Sequence, residues 1–386
     1  FSAAAKKSAR WFYLGSFAAA GLAALTKGPV GLVLPGGIAI LFMLTCGRLR
    51  QSLRRVPWLA GTLILIVICL PWYLAVNFRS DFEFYRVFIL QHNLHRFFGK
   101  VDAAGQHVEP FYYYLPVLLA GFYPWSFYTI QAVLAPGARF ISGLRKKSLD
   151  NPGEVFALIW FAAVIVFFSL SKAKLATYIT PAFPPLAILI VDYWARKLNV
   201  PLVRKSGWIM APAALGLAAA VVMAAVAIVK GPDLASFPLG ALPLLAGAVF
   251  LAGPAAALGL LLRDRASGAL AAQVAGQMLL AWLVAFGILP QVSRQSREPH
   301  VRLAGKAVDY LGDTGTLAAF RYRKTGLIFY SRHTVRFLEQ HEIASLDSLP
   351  SPLALVTREK YLQQLLNRSP ELTELTRDGG LVLLGR

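Results

Sequence analysis

Polar residues that could hold an anion interrupt apolar sequence at three places. They are Lys27 in LTKGPVGLVLPG, His92 and Arg96 in ILQHNLHRFFGK, and Lys172, Lys174 and Tyr178 in FSLSKAKLATYI. Lysine and arginine carry fixed positive charge, while histidine and tyrosine add hydrogen-bond donors. A charge near a bilayer costs about 3 kcal/mol even on the milder insertion scales. These residues therefore either anchor the chain at the water boundary or bind an anionic group.

Lys27 lies at a sharp break between two apolar stretches. Gly28 and Pro29 follow it, and proline is tolerated in the first turn of a new helix. Lys27 would then lie beside a helix N-terminus, where free backbone N–H groups favour an anion. For this stretch alone, a lysine that extends to the membrane interface is an equally good interpretation.

His92 and Arg96 are four residues apart, so on a helix they share one face and could contact one phosphate together. The same segment also fits an amphipathic helix in the headgroup layer, and the two interpretations are compatible. His95 and His107 raise the alternative of a zinc site. Spacings of three and twelve residues without cysteine match no strong zinc signature, so metal binding is the weaker interpretation.

The composition indicates a membrane protein. Hydrophobic residues make up 57% of the 386 residues and charged residues only 15%, with a mean hydropathy of +0.56. The placement of the basic residues explains most of the formal net charge of +20, so nucleic acid is not an expected partner. Cys46 and Cys69 both lie in apolar stretches, which leaves no disulfide framework or cysteine metal quartet.

Nine stretches are long and apolar enough to cross, or nearly cross, a bilayer core of about 30 Å. They are residues 11–26, 28–46, 56–76, 111–135, 153–171, 175–194, 208–229, 239–262 and 269–290. Residues 1–290 are therefore predicted to form a transmembrane region, with its long outer loop at 77–110.

Lysine and arginine are distributed unevenly over the connections between these segments. One set of ends carries seventeen and the other eight, although the longer loop belongs to the poorer set. Positive charge collects on the cytoplasmic side, so the N-terminus is predicted inside and the C-terminus outside. Lys172 and Lys174 then lie outside, where this rule does not explain them, and their interpretation as anchors is weakened. The prolines of TPAFPP predict an irregular start to the helix that follows.

Residues 291–386 have a different pattern. Short strand-like runs are separated by helical candidates such as REKYLQQLLN; the runs are TLAAFRY, HTVRFL, SPLALVT and GLVLLGR. The predicted fold class is an all-α polytopic membrane protein followed by a small soluble α/β domain on the outer, periplasmic side. This domain shows no nucleotide-binding glycine pattern and no clustered catalytic residues, so a structural role is expected.

Three ordered motifs resemble those of the bacterial glycosyltransferases that use polyprenyl-phosphate sugars. They are LTKGPVGLVLPG, then HNLHRFFG with HVEPFYYYLPVLLAGFYPWS, then FFSLSKAKLATYITPAFPPLAIL. The group includes the lipid A aminoarabinose transferases and is related to the protein mannosyltransferases. The resemblance covers roughly residues 10–195. It implies a GT-C membrane fold, a polyprenyl monophosphate sugar donor, and inverting transfer at the periplasmic face of the inner membrane.

The resemblance also implies which residues lie near the donor phosphate. They are Lys27, His92, Arg96 and Tyr178, with Lys172 and Lys174 as additions. Fixed cations there would stabilise the negative charge that grows on the departing lipid phosphate. The motifs specify no cofactor and leave a requirement for a divalent metal open. The expected partners are the lipid-linked sugar, membrane lipids, and an acceptor that is lipid A, another glycan or a protein.

The general base is the one departure from the family pattern. In the family it is an acidic residue of the first periplasmic loop, whereas the first 80 residues here contain no Asp or Glu. We therefore expect several N-terminal spans and the catalytic acid upstream of Phe1, and no activity from the chain as given.

Two other functional classes are left. A lipid or solute transporter would carry polar or charged residues at mid-membrane depth, whereas the charges here concentrate at the outer boundary. A non-catalytic membrane scaffold would leave the order and spacing of the three motifs unexplained. The transferase hypothesis requires that Lys27, Arg96 and Tyr178 face one outer cavity.

Overall fold

The computed structural model describes residues 3–88, 109–146, 151–198, 207–229, 241–312, 315–323 and 325–386. These residues are mostly helical, with one small sheet near the C-terminus, which confirms the predicted fold class. They form two compact units. One contains Phe1–Val221 and Pro254–Gln273, and the other contains Val222–Gly253 and Val274–Arg386.

The helices follow the apolar stretches of the sequence. The first eight are α1 (Ala3–Lys27), α2 (Val30–Thr45), α3 (Leu49–Arg55), α4 (Trp58–Arg79), α5 (Tyr114–Gly121), α6 (Thr129–Lys146), α7 (Pro152–Leu170) and α8 (Phe183–Leu198). The next four are α9 (Gly207–Val229), α10 (Leu242–Leu262), α11 (Ala266–Trp282) and α12 (Leu289–Leu311).

The chain is a multi-pass membrane protein. Within the described part, four helical segments are long and apolar enough to cross a bilayer: Trp58–Arg79, Pro152–Leu170, Leu242–Leu261 and Ala266–Leu311. Val30–Thr45 and Met210–Met223 are apolar but shorter. The count of nine spans stays a prediction.

The stretch predicted as one membrane-crossing segment at 111–135 is sharply bent. Its helical parts, Phe111–Gly121 and Trp125–Leu144, meet at 119°. Pro124 lies in the break, where proline cannot donate a helical hydrogen bond. The hydroxyl of Tyr123 donates to the carbonyl of Gly216 at 2.9 Å, and that of Ser126 donates to the carbonyl of Leu119 at 2.8 Å. These bonds hold the bend in place.

The segment before α8 is irregular, as its prolines predict. Ala176–Ala182 forms a 3-10 helix with Pro181 inside it, and the regular helix begins only at Phe183. Ile179, Ala182 and Leu186 are fully buried there, so both parts belong to the helical core.

Glu154 joins the ends of three helices. Its carboxylate accepts from Arg139 of α6 at 2.6 Å and from Arg196 of α8 at 2.8 Å. The Asn151 side chain caps α7 by accepting from the Glu154 backbone N–H at 3.2 Å. Because the Glu154 side chain is only 6% exposed, two guanidinium groups compensate a carboxylate that has lost most of its water.

In the second unit, a helical run crosses the predicted domain boundary. A π-helix, Leu283–Ile288, connects α11 to α12, and α12 continues to Leu311. The boundary expected at residue 291 therefore lies inside a helix. The reason is visible in the packing, because the far end of α12 buries Leu303, Ala304, Ala307 and Leu311 beneath the sheet.

The sheet has five strands in the order β2-β1-β3-β5-β4. They are β1 (Thr316–Phe320), β2 (Val335–Leu338), β3 (Leu353–Arg358), β4 (Thr373–Asp378) and β5 (Leu381–Gly385). The first three run parallel, and β5 and β4 are antiparallel. Four strands coincide with the predicted runs. The β4 strand was not predicted, because TELTRD lacks the apolar alternation that marks a half-buried strand.

Helices cover both faces of the sheet. On one face, α12 and α13 (Thr325–Ser331) pack against Leu317, Ala319 and Val356. On the other, Ala318, Phe320 and Leu355 pack against the 3-10 helix Gln340–Leu346 and α14 (Leu362–Arg368). This arrangement explains why β1 and β3 are buried almost throughout, whereas the edge strand β2 is buried only at its two ends.

Candidate functional site

A pocket of about 750 Å³ lies in the first unit, between the α1–α2 turn, α7 and the 3-10 helix before α8. Its wall is mostly apolar: Leu34 and Ile38 come from α2, and Trp160 and Phe168 come from α7. Lys27 is the only cationic side chain among the described residues that line it. The arrangement is a hydrophobic pocket, called the slot below, with a positive charge at its wall.

The turn that presents Lys27 is tightly determined. Gly28 has a positive φ of 69°, which a residue with a side chain adopts at a cost. The Gly28 N–H donates to the carbonyl of Ala24 at 2.8 Å, and the Tyr73 hydroxyl of α4 donates to the same carbonyl at 2.9 Å. These contacts fix the end of α1, so Lys27 is exposed at a defined position and not on a free tail.

Tyr178 contributes an aromatic ring to the same pocket. The ammonium of Lys27 lies 5.7 Å from its ring centroid, within the range of a cation–π contact. The ring packs on Phe168, with 5.4 Å between centroids. Lys27 and Tyr178, which are 151 positions apart in the sequence, thus line one pocket, whereas Arg96, the third residue that the hypothesis places there, lies outside the described residues.

Lys174 is placed differently. It is buried, and its ammonium donates to the carbonyl of Glu109 at 2.9 Å and to that of Ser171 at 2.5 Å. Burial lowers the pKa of Lys174, and the charge of Glu109 partly opposes this shift. Lys174 therefore ties the segment before α5 to the loop after α7. Neither Lys174 nor the exposed Lys172 lines the pocket, and their role at the phosphate stays a prediction.

His92 and Arg96 lie outside the described residues, as do His95 and His107. Their predicted role at the phosphate is therefore still a prediction. Within the described part of the chain, no group of three or more His, Cys, Asp or Glu side chains is arranged to hold a metal.

The apolar residues of the pocket were not identified from the sequence. A signal was present, because Val30, Leu34 and Ile38 are spaced four residues apart and share one face of α2. Trp160 and Phe167 of α7 are seven apart and also share a face. In segments that are apolar on every side, however, such a spacing does not distinguish a pocket face from a lipid face.

The chain is similar in sequence to parts of several known transferases. No protein-family model matches it. An arabinosyl transferase of Proteus mirabilis, named for undecaprenyl phosphate-alpha-4-amino-4-deoxy-L-arabinose, is 34% identical over 202 residues, which are 52% of this chain and 34% of that protein. A transferase of the same name from Pseudomonas fluorescens is 37% identical over 189 residues, 49% of this chain and 30% of that protein. The match thus spans about a third of these relatives.

Solved structures extend the likeness over nearly the whole chain. The crystal structure of ArnT from Cupriavidus metallidurans bound to undecaprenyl phosphate superposes with a TM-score of 0.70, covering 98% of this chain and 70% of that one at 23% identity. The structure of the same protein in the apo state gives a TM-score of 0.67. These comparisons confirm the predicted resemblance. The chain is similar in sequence to the undecaprenyl-phosphate aminoarabinose transferases and has the fold of ArnT.

Proposed function

We propose that the protein represented by this chain is a glycosyltransferase of the bacterial inner membrane. It transfers a sugar from a polyprenyl monophosphate to an acceptor hydroxyl or phosphate at the periplasmic face, and the C-terminal α/β domain lies on that side. The sequence similarity to named arabinosyl transferases supports a transferase over a transporter. Because those relatives are named for it, 4-amino-4-deoxy-L-arabinose is the first sugar to assay.

The observation that carries the proposal is the slot with Lys27 and Tyr178 on its wall. A polyprenyl chain is a long apolar body with a methyl branch on each isoprene unit, and the slot lined by Leu34, Ile38 and Trp160 offers it an apolar surface. Its phosphate is anionic, and Lys27 supplies a fixed positive charge beside the apolar wall. In this proposal the lipid tail occupies the slot and the phosphate lies at Lys27 and Tyr178, with His92 and Arg96 completing the phosphate site.

Such a site acts on the leaving group. When the bond between the sugar and the phosphate breaks, negative charge accumulates on the phosphate oxygens. A lysine held at a defined position by the Gly28 turn stabilises that charge without having to reorganise. The contact strengthens as the charge grows, so it accelerates the reaction as well as binding the donor.

Binding of undecaprenyl phosphate to the detergent-solubilised chain, followed by native mass spectrometry, tests the phosphate site. We expect Lys27→Gln to weaken binding by about tenfold, since a charge-assisted contact is lost, and Lys27→Arg to retain most of it. Lys306→Gln, in the sheet unit, is the charge-matched control. Lys172→Gln shows whether that exposed lysine contributes as well. Equal affinity of the Lys27→Gln variant and the unchanged chain would remove Lys27 from the site.

Transfer itself is tested with the full-length parent protein in membranes. Radiolabelled sugar on a polyprenyl phosphate is the donor, and lipid A, other glycans and proteins are offered as acceptors. We expect transfer that is strongly reduced in Arg96→Ala and Lys27→Gln at normal expression. An absence of transfer to any acceptor would favour the transporter, and undiminished transfer in Arg96→Ala would return the segment around His92 to a structural role.

A further inference from the structure

The strand order of the sheet indicates one edge as a candidate binding site. From β1, the middle one of the three parallel strands, the chain moves to β2 on one side, and it then returns to β3 on the other side of β1. The three strands are parallel, so their carboxyl ends meet at one edge. In open parallel sheets, ligands bind outside the carboxyl ends of the strands, at the point where the strand order reverses. Here that point lies between β1 and β3.

Basic residues gather at this point. Arg321 and Arg323 follow β1 directly, Arg358 is the last residue of β3, and Lys360 comes two positions later. All four are exposed. The buried hydroxyl of Thr357 donates to the carbonyl of Phe320 at 3.2 Å, which ties the two strand ends together directly beneath them.

Two of these cations lie against one aromatic ring, and the charge of a third acts on its hydroxyl. The guanidinium of Arg321 lies 5.0 Å from the ring centroid of Tyr361, and the ammonium of Lys360 lies 4.8 Å from it. The pKa of the Tyr361 hydroxyl is lowered, first through its side-chain interaction with Lys360 and then through the positive charges of Arg321, Lys360 and Arg358. The cations therefore act together on the same hydroxyl oxygen.

Among the described residues, the charges of Arg321, Arg358 and Lys360 have no carboxylate partner within ion-pairing distance. The two neighbouring acids are engaged elsewhere. Glu359 pairs with Arg377 of β4, and Glu339 caps the 3-10 helix that follows β2. Arg321 donates instead to the amide oxygen of Gln340 at 3.2 Å.

We propose that this edge of the sheet binds a phosphate monoester, held beside the Tyr361 hydroxyl by Arg321, Arg358 and Lys360. Guanidinium groups offer paired N–H donors that match phosphate oxygens, and Lys360 adds a compact charge. The phosphate belongs either to a lipid head group or to a soluble molecule, since both present the same oxygens. The inference does not depend on the proposed transfer reaction, because it concerns a different unit of the chain.

The test uses the whole chain in phosphatidylcholine nanodiscs and follows the rate at which an acylating reagent modifies Lys360, read by mass spectrometry. One arm adds inorganic phosphate or glycerol phosphate to the buffer, with chloride at matched ionic strength as the blank. The other arm places phosphatidic acid in the disc. Lys306, which donates to Thr376 in the same unit, is the internal control lysine.

We expect phosphate to slow modification of Lys360 and to leave Lys306 unchanged. The combined variant Arg321→Gln with Arg358→Gln should lose this protection. We expect the phosphate concentration that gives half-maximal protection to rise by about tenfold for each cation removed. Arg368→Gln, a basic residue of the same unit paired with Asp347, should retain it. Thermal unfolding of each variant in the same discs verifies its fold, and the lysine pair Arg321→Lys with Arg358→Lys should keep partial protection.

The arms separate the two sources of phosphate. Protection by soluble phosphate identifies a soluble ligand, and protection by phosphatidic acid alone identifies a lipid head group; either supports the site. The proposal is overturned if Lys360 is unprotected in both arms, if chloride protects it equally well, or if the combined glutamine variant is protected as fully as the unchanged chain.

Discussion

Lys174 shows how a lysine in a predicted binding motif can serve the fold. Replacing it with methionine removes two hydrogen bonds, and the carbonyls of Glu109 and Ser171 are left without a donor. We expect Lys174→Met to lower the free energy of unfolding by about 1–3 kcal/mol, the cost of buried groups that lose their partners. Thermal unfolding in detergent measures this. Lys172→Met, at an exposed neighbour, should change little, and an equal loss in both variants would contradict the structural role of Lys174.

The same residue predicts a pH dependence of stability. Burial lowers the pKa of Lys174 in the folded chain below its ordinary value of about 10.4, so the unfolded chain binds this proton more tightly. The sign is then fixed: the Lys174 contribution becomes more favourable as the pH rises through the folded pKa toward that ordinary value. The free energy of unfolding of the unchanged chain should therefore exceed that of Lys174→Met by a larger margin at alkaline pH than at neutral pH. If the difference in unfolding free energy between the two chains became smaller as the pH rises, the lowered pKa of Lys174 would be contradicted.

At the scale of helices, Glu154 holds α6, α7 and α8 together at one end. The carboxylate is nearly inaccessible, but Arg139 and Arg196 are 44% and 46% exposed and can be hydrated when they lose it. Because water screens the charges of the two arginines, each ion pair contributes less to the free energy of unfolding. We expect a double-mutant cycle of Glu154→Gln and Arg139→Gln to give a coupling of about 1–2 kcal/mol in unfolding free energy. A coupling near zero would mean that the packing of the helices holds this junction by itself.

The α1–α2 contact depends on a glycine. A Cβ atom added at Gly31 would lie 2.5 Å from the backbone C and O of Ala23, so the two helices would have to separate. We expect Gly31→Ala to cost about 1–3 kcal/mol of stability, as overpacking does, and to weaken undecaprenyl phosphate binding by moving Lys27 away from Tyr178. Gly36→Ala is the matched control, because nothing lies within 4 Å of its added Cβ. If both variants bind the lipid phosphate equally well, the spacing of α1 and α2 does not determine the pocket.

At the scale of the whole molecule, the charge asymmetry makes a prediction about sidedness. Lys27 belongs to the poorer set of connections and Arg139 to the richer one, so the two residues are expected on opposite faces of the membrane. Lys27→Cys and Arg139→Cys, each in a background with Cys46→Ala and Cys69→Ala, should react with an impermeant thiol reagent from opposite sides. Labelling of both from the same side would be incompatible with the predicted topology.

Composition and proline placement were enough to predict much of this architecture. The membrane class, the irregular start of α8 and four of the five strands follow from local patterns around residues such as Pro181 and Phe320. The bend at Pro124 was missed because the hydropathy of a continuous apolar stretch does not distinguish a straight helix from a bent one. The end of α12 was missed because two of its four buried residues are alanines, which mark an apolar face only weakly.

The candidate site divides in the same way. Lys27 and Tyr178 were identified from the sequence because they are polar residues in apolar surroundings. The pairing of Glu154 with Arg139 and Arg196 was not, since those partners are 15 and 42 residues away and no local pattern connects them. The different use of Lys174 is also a property of the folded chain, because its acceptors are backbone carbonyls, which every residue carries.

The position of β5 determines when the sheet can form during synthesis of the chain. This strand, Leu381–Gly385, lies between β3 and β4 and is buried along its whole length, although the chain supplies it after every other strand of the sheet. While the ribosome is still adding these residues, β3 can pair only with β1 on one side, and β4 lacks its partner strand β5. The sheet therefore cannot close during elongation of the preceding strands. Until β5 is in place, apolar residues of both faces of the sheet stay exposed, and exposed apolar surface of this kind favours aggregation.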